Sequence, residues 1–160
     1  VRHPAADVLP GVCYGRLDVP VADPSAASAL AARLAGMGGT VWTSPARRCR
    51  VVADALRAPI VDPRLLELDF GDWEGRAWNE VPRSALDAWA ADITGFAPPG
   101  GESGAALIER VSAFASRLSS GDHVVVTHGG PLKVLTALLR RLPVDLLAPA
   151  PELGSVTLIG

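Results

Sequence analysis

Two of the chain's three histidines, His3 and His128, directly follow apolar, strand-like residues and precede Pro4 and Gly129, where a strand would hand over to a turn. An imidazole is neutral, and so nucleophilic, near cellular pH with only a small shift. A histidine at a strand end also serves as a plain hydrogen-bonded turn residue, but here arginines stand beside it. Arg2 precedes His3 where a buried strand would emerge, and a guanidinium fork matches phosphate oxygens two at a time. In SPARRCRVV, Arg48 falls in the first turn of an expected helix, where the backbone already favours anions. Arg47 and Arg50 read as solvated rim charges. The segment ELDFGDWEG brings Glu67, Asp69, Asp72 and Glu74. Phosphoryl transfer from an alkyl ester needs an acid to protonate the leaving oxygen, and the residues alone leave open which one it is. Phe70, Trp73 and Trp78 read more readily as core than as substrate walls.

These groups need elements to position them. Val1-Arg2 reads as the end of a strand whose earlier residues lie outside the sequence. Ser25 to Met37 carries Leu30, Leu34 and Met37 at helical spacing, with Asp23 or Ser25 as cap. Thr40 to Thr43 is a short buried strand. Ser44-Pro45 supplies an N-cap and a first-turn proline for a helix to about Arg57. Ile60-Val61 is a short strand, LLELDFGDWEG a loop, Pro82 to Ala91 a helix, and GFAPPGG a second loop. Leu107, Val111, Phe114 and Leu118 make a helical stripe over Ser103 to Leu118. HVVVT, from His123 to Thr127, is an apolar run of the kind buried on both faces of a parallel sheet. A helix over Pro131 to Leu142 and a β-rich run over Ser155 to Ile159 follow. Alternating strands and helices predict an α/β fold, with helices on both faces of a mostly parallel sheet. Ligands collect outside the carboxyl ends of such strands. Arg2-His3, Ser44 with its arginines, and His128-Gly129-Gly130 all fall at such ends.

At 160 residues the chain is expected to form one domain. A net charge of −2 without a Lys/Arg block argues against nucleic acid or an anionic membrane as partner and for a small acidic ligand. Cys13 and Cys49 have no CxxC spacing, so neither a zinc motif nor a disulfide framework is expected, and a reducing cytoplasm is the default compartment. No run reaches the roughly 18 apolar residues of a membrane span, and no leader resembles a signal peptide. Nothing here speaks to oligomeric state.

In order along the chain, VRHP, CYGRLDVPV, SPARRCRVVA, LLELDFGDWEG, PPGGES and VVVTHGG resemble the histidine phosphatase, or phosphoglycerate-mutase-like, superfamily. The resemblance implies a three-layer α/β/α sandwich and a phosphatase needing no metal or other cofactor. It implies that His3 is the phosphorylated nucleophile and that Arg2, Arg48 and His128, with Gly129 beside it, hold the phosphoryl oxygens. By the same resemblance Glu67 is the proton donor, and Tyr14 and Gly15 line the substrate side. Pro4 stands where the family usually has glycine, and Ala6 where many relatives carry a hydroxyl, so one phosphate donor is absent. The chain lacks the long insertions of the mutases. GVCYGRLDVP, SPARRCR and ELDFGDWEG look most like the α-ribazole-5′-phosphate phosphatases of the cobalamin pathway, with broad-specificity phosphatases close behind. Two other readings have discriminating features. A metal hydrolase would use His3, His128 and Glu67 as ligands, against the repulsion of adjacent arginines. A silent phosphate-binding regulatory domain would keep the fold without turnover.

Overall fold

Three short parallel strands make the sheet of the computed structural model, which describes residues 1–160. They are β1 (Thr40–Thr43), β2 (Ile60–Val61) and β3 (His123–Val126), in the order β2-β1-β3. Thr40 to Thr43 pair in register with His123 to Val126, and Trp42 and Thr43 with Ile60 and Val61. Along the far edge of β3, Thr127 N–H donates to the Val1 carbonyl at 2.9 Å and His3 N–H to the Thr127 carbonyl at 3.1 Å. The Arg2–Thr127 pairing is again parallel, so Val1 to His3 lies beside β3 and brings His3 next to His128.

Successive strand residues point to opposite faces, and each face meets its own helices. Val41, Val124 and Val126 pack with Leu30 and Leu34 of α1 (Pro24–Leu34) and with Cys49 and Val52 of α2 (Arg47–Ala53). On the other face Trp42 meets Leu107, Val111 and Phe114 of α4 (Gly104–Ala115) and Val134 and Leu135 of α5 (Gly129–Leu139). The result is the expected three-layer α/β/α arrangement. The α3 helix (Arg83–Ala91) buries no residue fully. Beside it lies a third, smaller core of Cys13, Trp73 and Val81. No helix is long and apolar enough to cross a membrane.

Local chemistry explains the element ends. Asp23 caps α1 by accepting Ser25 N–H at 2.8 Å, and Ser103 caps α4 through Ala106 N–H at 3.3 Å. Ser44 does not cap α2. Its hydroxyl accepts Ala46 N–H while Ala46 itself is extended, so Pro45 lies outside the helix. The helix stops at Ala53, four residues short of the expected end, where Leu56 N–H turns back to the Ala53 carbonyl to lead into β2. The stretch expected as a plain loop, Leu65 to Gly75, is led in by a short 3₁₀ turn at Pro63–Leu65 that buries Leu65 and winds into another at Gly71–Trp73 that buries Trp73. Residues 155–159 form no strand. Arg2 N–H to the Ser155 carbonyl and Gly154 N–H to the His3 carbonyl, both 3.0 Å, are too few bonds for a ladder. In β3 only Val124 and Val126 are buried, because the face toward α4 and α5 is less fully covered at this strand.

Candidate active site

His3 is buried, and its Nδ1 lies 2.6 Å from the carbonyl of Pro4, which can only accept. The proton therefore sits on Nδ1, and Nε2 keeps its lone pair. Loss of water around the ring is the main force lowering the His3 pKa from 6.5 to about 4. The Pro4 bond opposes the shift, and the charges of Arg48 and Arg2 add to it. At neutral pH the ring is an uncharged base with a free nitrogen.

Arg48 is wholly buried at the second position of α2. Its two terminal nitrogens donate to the carbonyls of Gly15 at 2.5 Å and Leu17 at 2.9 Å, its guanidinium lies 5.4 Å from the Tyr14 ring centre, and its Nε is buried without a partner. No carboxylate pairs with it. A buried charge with carbonyls alone for company is costly unless an anion shares the site. Arg2 repeats the pattern: one nitrogen donates to the Pro151 carbonyl and its Nε is buried and unpaired. Gly129, at the start of α5, lies beside it, and a Cβ there would make only ordinary contact, 3.5 Å, with the Arg2 guanidinium carbon.

His128 lies two residues past β3, directly before α5. Its ring meets that of His3 edge-on at 5.0 Å between centres, and its Nε2 lies 2.8 Å from the Ser44 hydroxyl. Burial, and then the neighbouring charge of Arg48, push its pKa well below 6.5. Glu67 accepts Leu68 N–H at 2.9 Å and Gly130 N–H at 3.1 and 3.2 Å on its two oxygens.

Arg2, His3, Tyr14, Arg48 and Glu67 line one cleft of about 200 Å³, together with Val12, Phe70 and Trp78. His128 stands behind His3 rather than on the lining, Gly15 acts through its carbonyl, and Gly129 opens α5 beside Arg2 without lining the cleft. Of the three aromatic residues expected as core, Trp73 is buried, whereas Phe70 and Trp78 are partly exposed in the cleft wall. Nowhere does the fold gather three His, Cys, Asp or Glu side chains in metal-ligating geometry, so the ligand set of His3, His128 and Glu67 has no geometric support. Cys13 and Cys49 are buried free thiols.

Three contributions were not legible in the sequence. The role of Gly130 is one: a Cβ there would fall 2.4 Å from a Glu67 oxygen, so a side chain would shift the carboxylate that its N–H now reaches. Arg110 is another, donating to the carbonyls of Arg64 and Leu66 at 2.7 Å and of Glu67 at 3.0 Å, and so pinning the stretch that presents Glu67. Val12 on the cleft wall is the third. Gly130 and Arg110 show no local signal for these roles, because they act on Glu67, 63 and 43 residues away in sequence.

The chain matches the family model described as "Histidine phosphatase superfamily (branch 1)" over residues 1–159. It is 34% identical over 104 residues to the adenosylcobalamin/alpha-ribazole phosphatase of Escherichia coli K12, covering 60% of this chain and 51% of that protein. It is 37% identical over 98 residues to the glucosyl-3-phosphoglycerate phosphatase of Mycolicibacterium vanbaalenii, covering 53% and 44% respectively. The chain thus spans about half the length of the curated relatives it matches. Among solved structures, the alpha-ribazole phosphatase from Shigella flexneri superimposes with a TM-score of 0.84 at 26% identity, over 96% of this chain and 85% of that one. A mycobacterial glucosyl-3-phosphoglycerate phosphatase gives 0.73 at 30% identity, over 89% and 78%.

Proposed function

The chain belongs to the histidine phosphatase superfamily, and on that footing we propose that it hydrolyses the phosphate monoester of a small molecule through a phosphohistidine on His3. The observation that carries this reading is the short contact from His3 Nδ1 to the Pro4 carbonyl, which leaves Nε2 free to attack in a cleft shared with Arg2 and Arg48. The Nε2 lone pair forms the N–P bond as the P–O bond to the leaving group breaks, and Glu67 gives that oxygen its proton. Water then attacks phosphorus, Glu67 takes back a proton, and the N–P bond breaks to release inorganic phosphate and neutral His3. Arg2 and Arg48 balance charge on the phosphoryl oxygens, the contribution that dominates such transfers, while neutral His128 backs the His3 ring. Tyr14 and Gly15 serve the substrate side, Tyr14 on the wall and Gly15 through its hold on Arg48. Gly129 stands beside Arg2 at the start of α5.

A neutral nucleophile sets the pH behaviour. With a His3 pKa of about 4, kcat/KM for a monoester is expected to hold through pH 6.5 and to fall only as pH approaches 4. An acid limb centred near 6.5 would contradict a buried, neutral His3. Stability follows the same sign: a histidine whose folded pKa is depressed takes up its proton in the unfolded chain first. The melting temperature should therefore drop as pH falls from 6.5 toward 4.

For the substrate we favour α-ribazole 5′-phosphate, with α-ribazole as the leaving group, which would place the protein in cobalamin biosynthesis in a reducing cytoplasm. The support is the cleft wall. Beyond the phosphate-binding groups and Glu67 it offers Val12, Tyr14, Phe70 and Trp78, and no cation besides Arg2 and Arg48. Such a wall suits a flat, uncharged group and gives nothing to a carboxylate. The kcat/KM of α-ribazole 5′-phosphate should exceed that of 3-phosphoglycerate by at least about tenfold, and Trp78→Ala should shrink the ratio severalfold, the weight of one aromatic contact. Equal values across a panel of esters would instead favour a broad-specificity phosphatase.

A further inference from the structure

The proposed chemistry leaves Glu74 unused, yet its carboxylate accepts four main-chain N–H groups. Oε1 takes Arg16 at 2.7 Å and Phe70 at 3.1 Å, and Oε2 takes Leu17 at 2.5 Å and Gly15 at 3.2 Å. Four bonds fill the carboxylate's lone-pair sites. Three of the donors are consecutive residues wrapped around one acceptor. Gly15 permits the approach, because a Cβ there would fall 2.0 Å from the Leu68 carbonyl oxygen and 2.9 Å from Glu74 Oε1.

Two of these three residues offer carbonyls to Arg48: Gly15 accepts one terminal nitrogen and Leu17 the other. Every protein hydrogen bond of the Arg48 guanidinium thus ends on a peptide stretch whose N–H groups are held by one carboxylate. The fourth donor, Phe70, sits on another part of the cleft lining and is tied to the same anchor.

We infer that Glu74 is the positioning residue for Arg48: it clamps the Gly15–Leu17 turn so that two carbonyls aim the buried guanidinium into the cleft. The inference rests on Arg48 being a phosphate ligand, as proposed above. Charge matters to the clamp as much as shape. A glutamine in its place would present an NH₂ group to at least one pair of N–H donors, losing bonds of the charge-assisted kind.

Inorganic phosphate is the probe, through its competitive inhibition constant measured on the whole chain. Glu74→Gln should raise that constant by roughly tenfold or more and raise KM by more than it lowers kcat. In an Arg48→Ala background the same substitution should add less than about twofold, because the two residues act through one contact. If the single effects multiply in the double variant, Glu74 does not act through Arg48 and the inference falls. An Arg48→Ala variant with unchanged phosphate inhibition sinks the reading of Arg48 itself, and this inference with it. Should Glu74→Gln not fold, the wild-type protein still decides: the Gly15, Arg16 and Leu17 amides must exchange slowly with deuterium, although Leu17 is exposed, and exchange at free-loop rates refutes the clamp.

Discussion

His3→Ala is expected to lower kcat for any phosphate monoester by at least about 10⁴-fold, the scale seen when a nucleophile is removed from an otherwise intact site. The substitution takes away the only nitrogen in the cleft held as a free base while leaving both arginines and Glu67 in place. Phosphate should therefore still bind. An alkaline quench, which preserves an N–P bond, of wild-type protein incubated with a ³²P-labelled monoester should trap label that the variant lacks. Turnover near the wild-type rate, or equal labelling of both proteins, would end the proposed mechanism. The substitution also removes a group that resists protonation in the fold, so the variant's stability should depend less on pH between 6.5 and 4.

The second large effect is expected for Arg48→Lys. Lysine keeps the charge, yet one ammonium cannot reach the Gly15 and Leu17 carbonyls on one side and present a planar fork to phosphate on the other. Loss of such a donor set from a water-poor site costs about 10²- to 10³-fold in rate. A buried lysine can shed its proton where arginine cannot, so the variant should regain part of its rate in more acidic buffer, an effect absent from the wild type. Steady-state kinetics at several pH values test both points. A loss of less than about fivefold, flat with pH, would mean that the guanidinium geometry does not matter.

Most of the α/β frame was readable because it rests on local pattern. Leu30 and Leu34, or Leu107, Val111 and Phe114, keep helical spacing and do face the sheet. The ends of β1 and β3, and the Arg2-His3 segment beside β3, carry Ser44, His128 and His3 as the alternation of strands and helices led us to expect. Where reading failed, a long-range bond had overruled a local preference. Ser44 has the residue type of a cap, but its hydroxyl faces His128, 84 residues away. Glu74 looked like one loop acid of four until the fold brought a turn 57 to 59 residues distant onto its oxygens. Phe70 and Trp78 are as apolar as core residues, and only tertiary packing decides which aromatic rings are left facing a cleft.

The small core of Cys13, Trp73 and Val81 has a consequence for how this protein can change. Trp78 packs on it and is part of neither cluster flanking the sheet, while Phe70 and Trp89 touch both it and the cluster under α4 and α5. The phosphate end rests on the sheet edge and α2 and is tied to the stretch beside the small core by the Glu74 clamp. Trp78 is hydrogen-bonded to neither Arg48 nor the Gly15–Leu17 turn, so the free-energy costs of substitutions at Trp78 and Arg48 should largely sum. A lineage could thus exchange one leaving group for another by rebuilding the aromatic patch alone, with the inherited phosphoryl chemistry carried along unaltered.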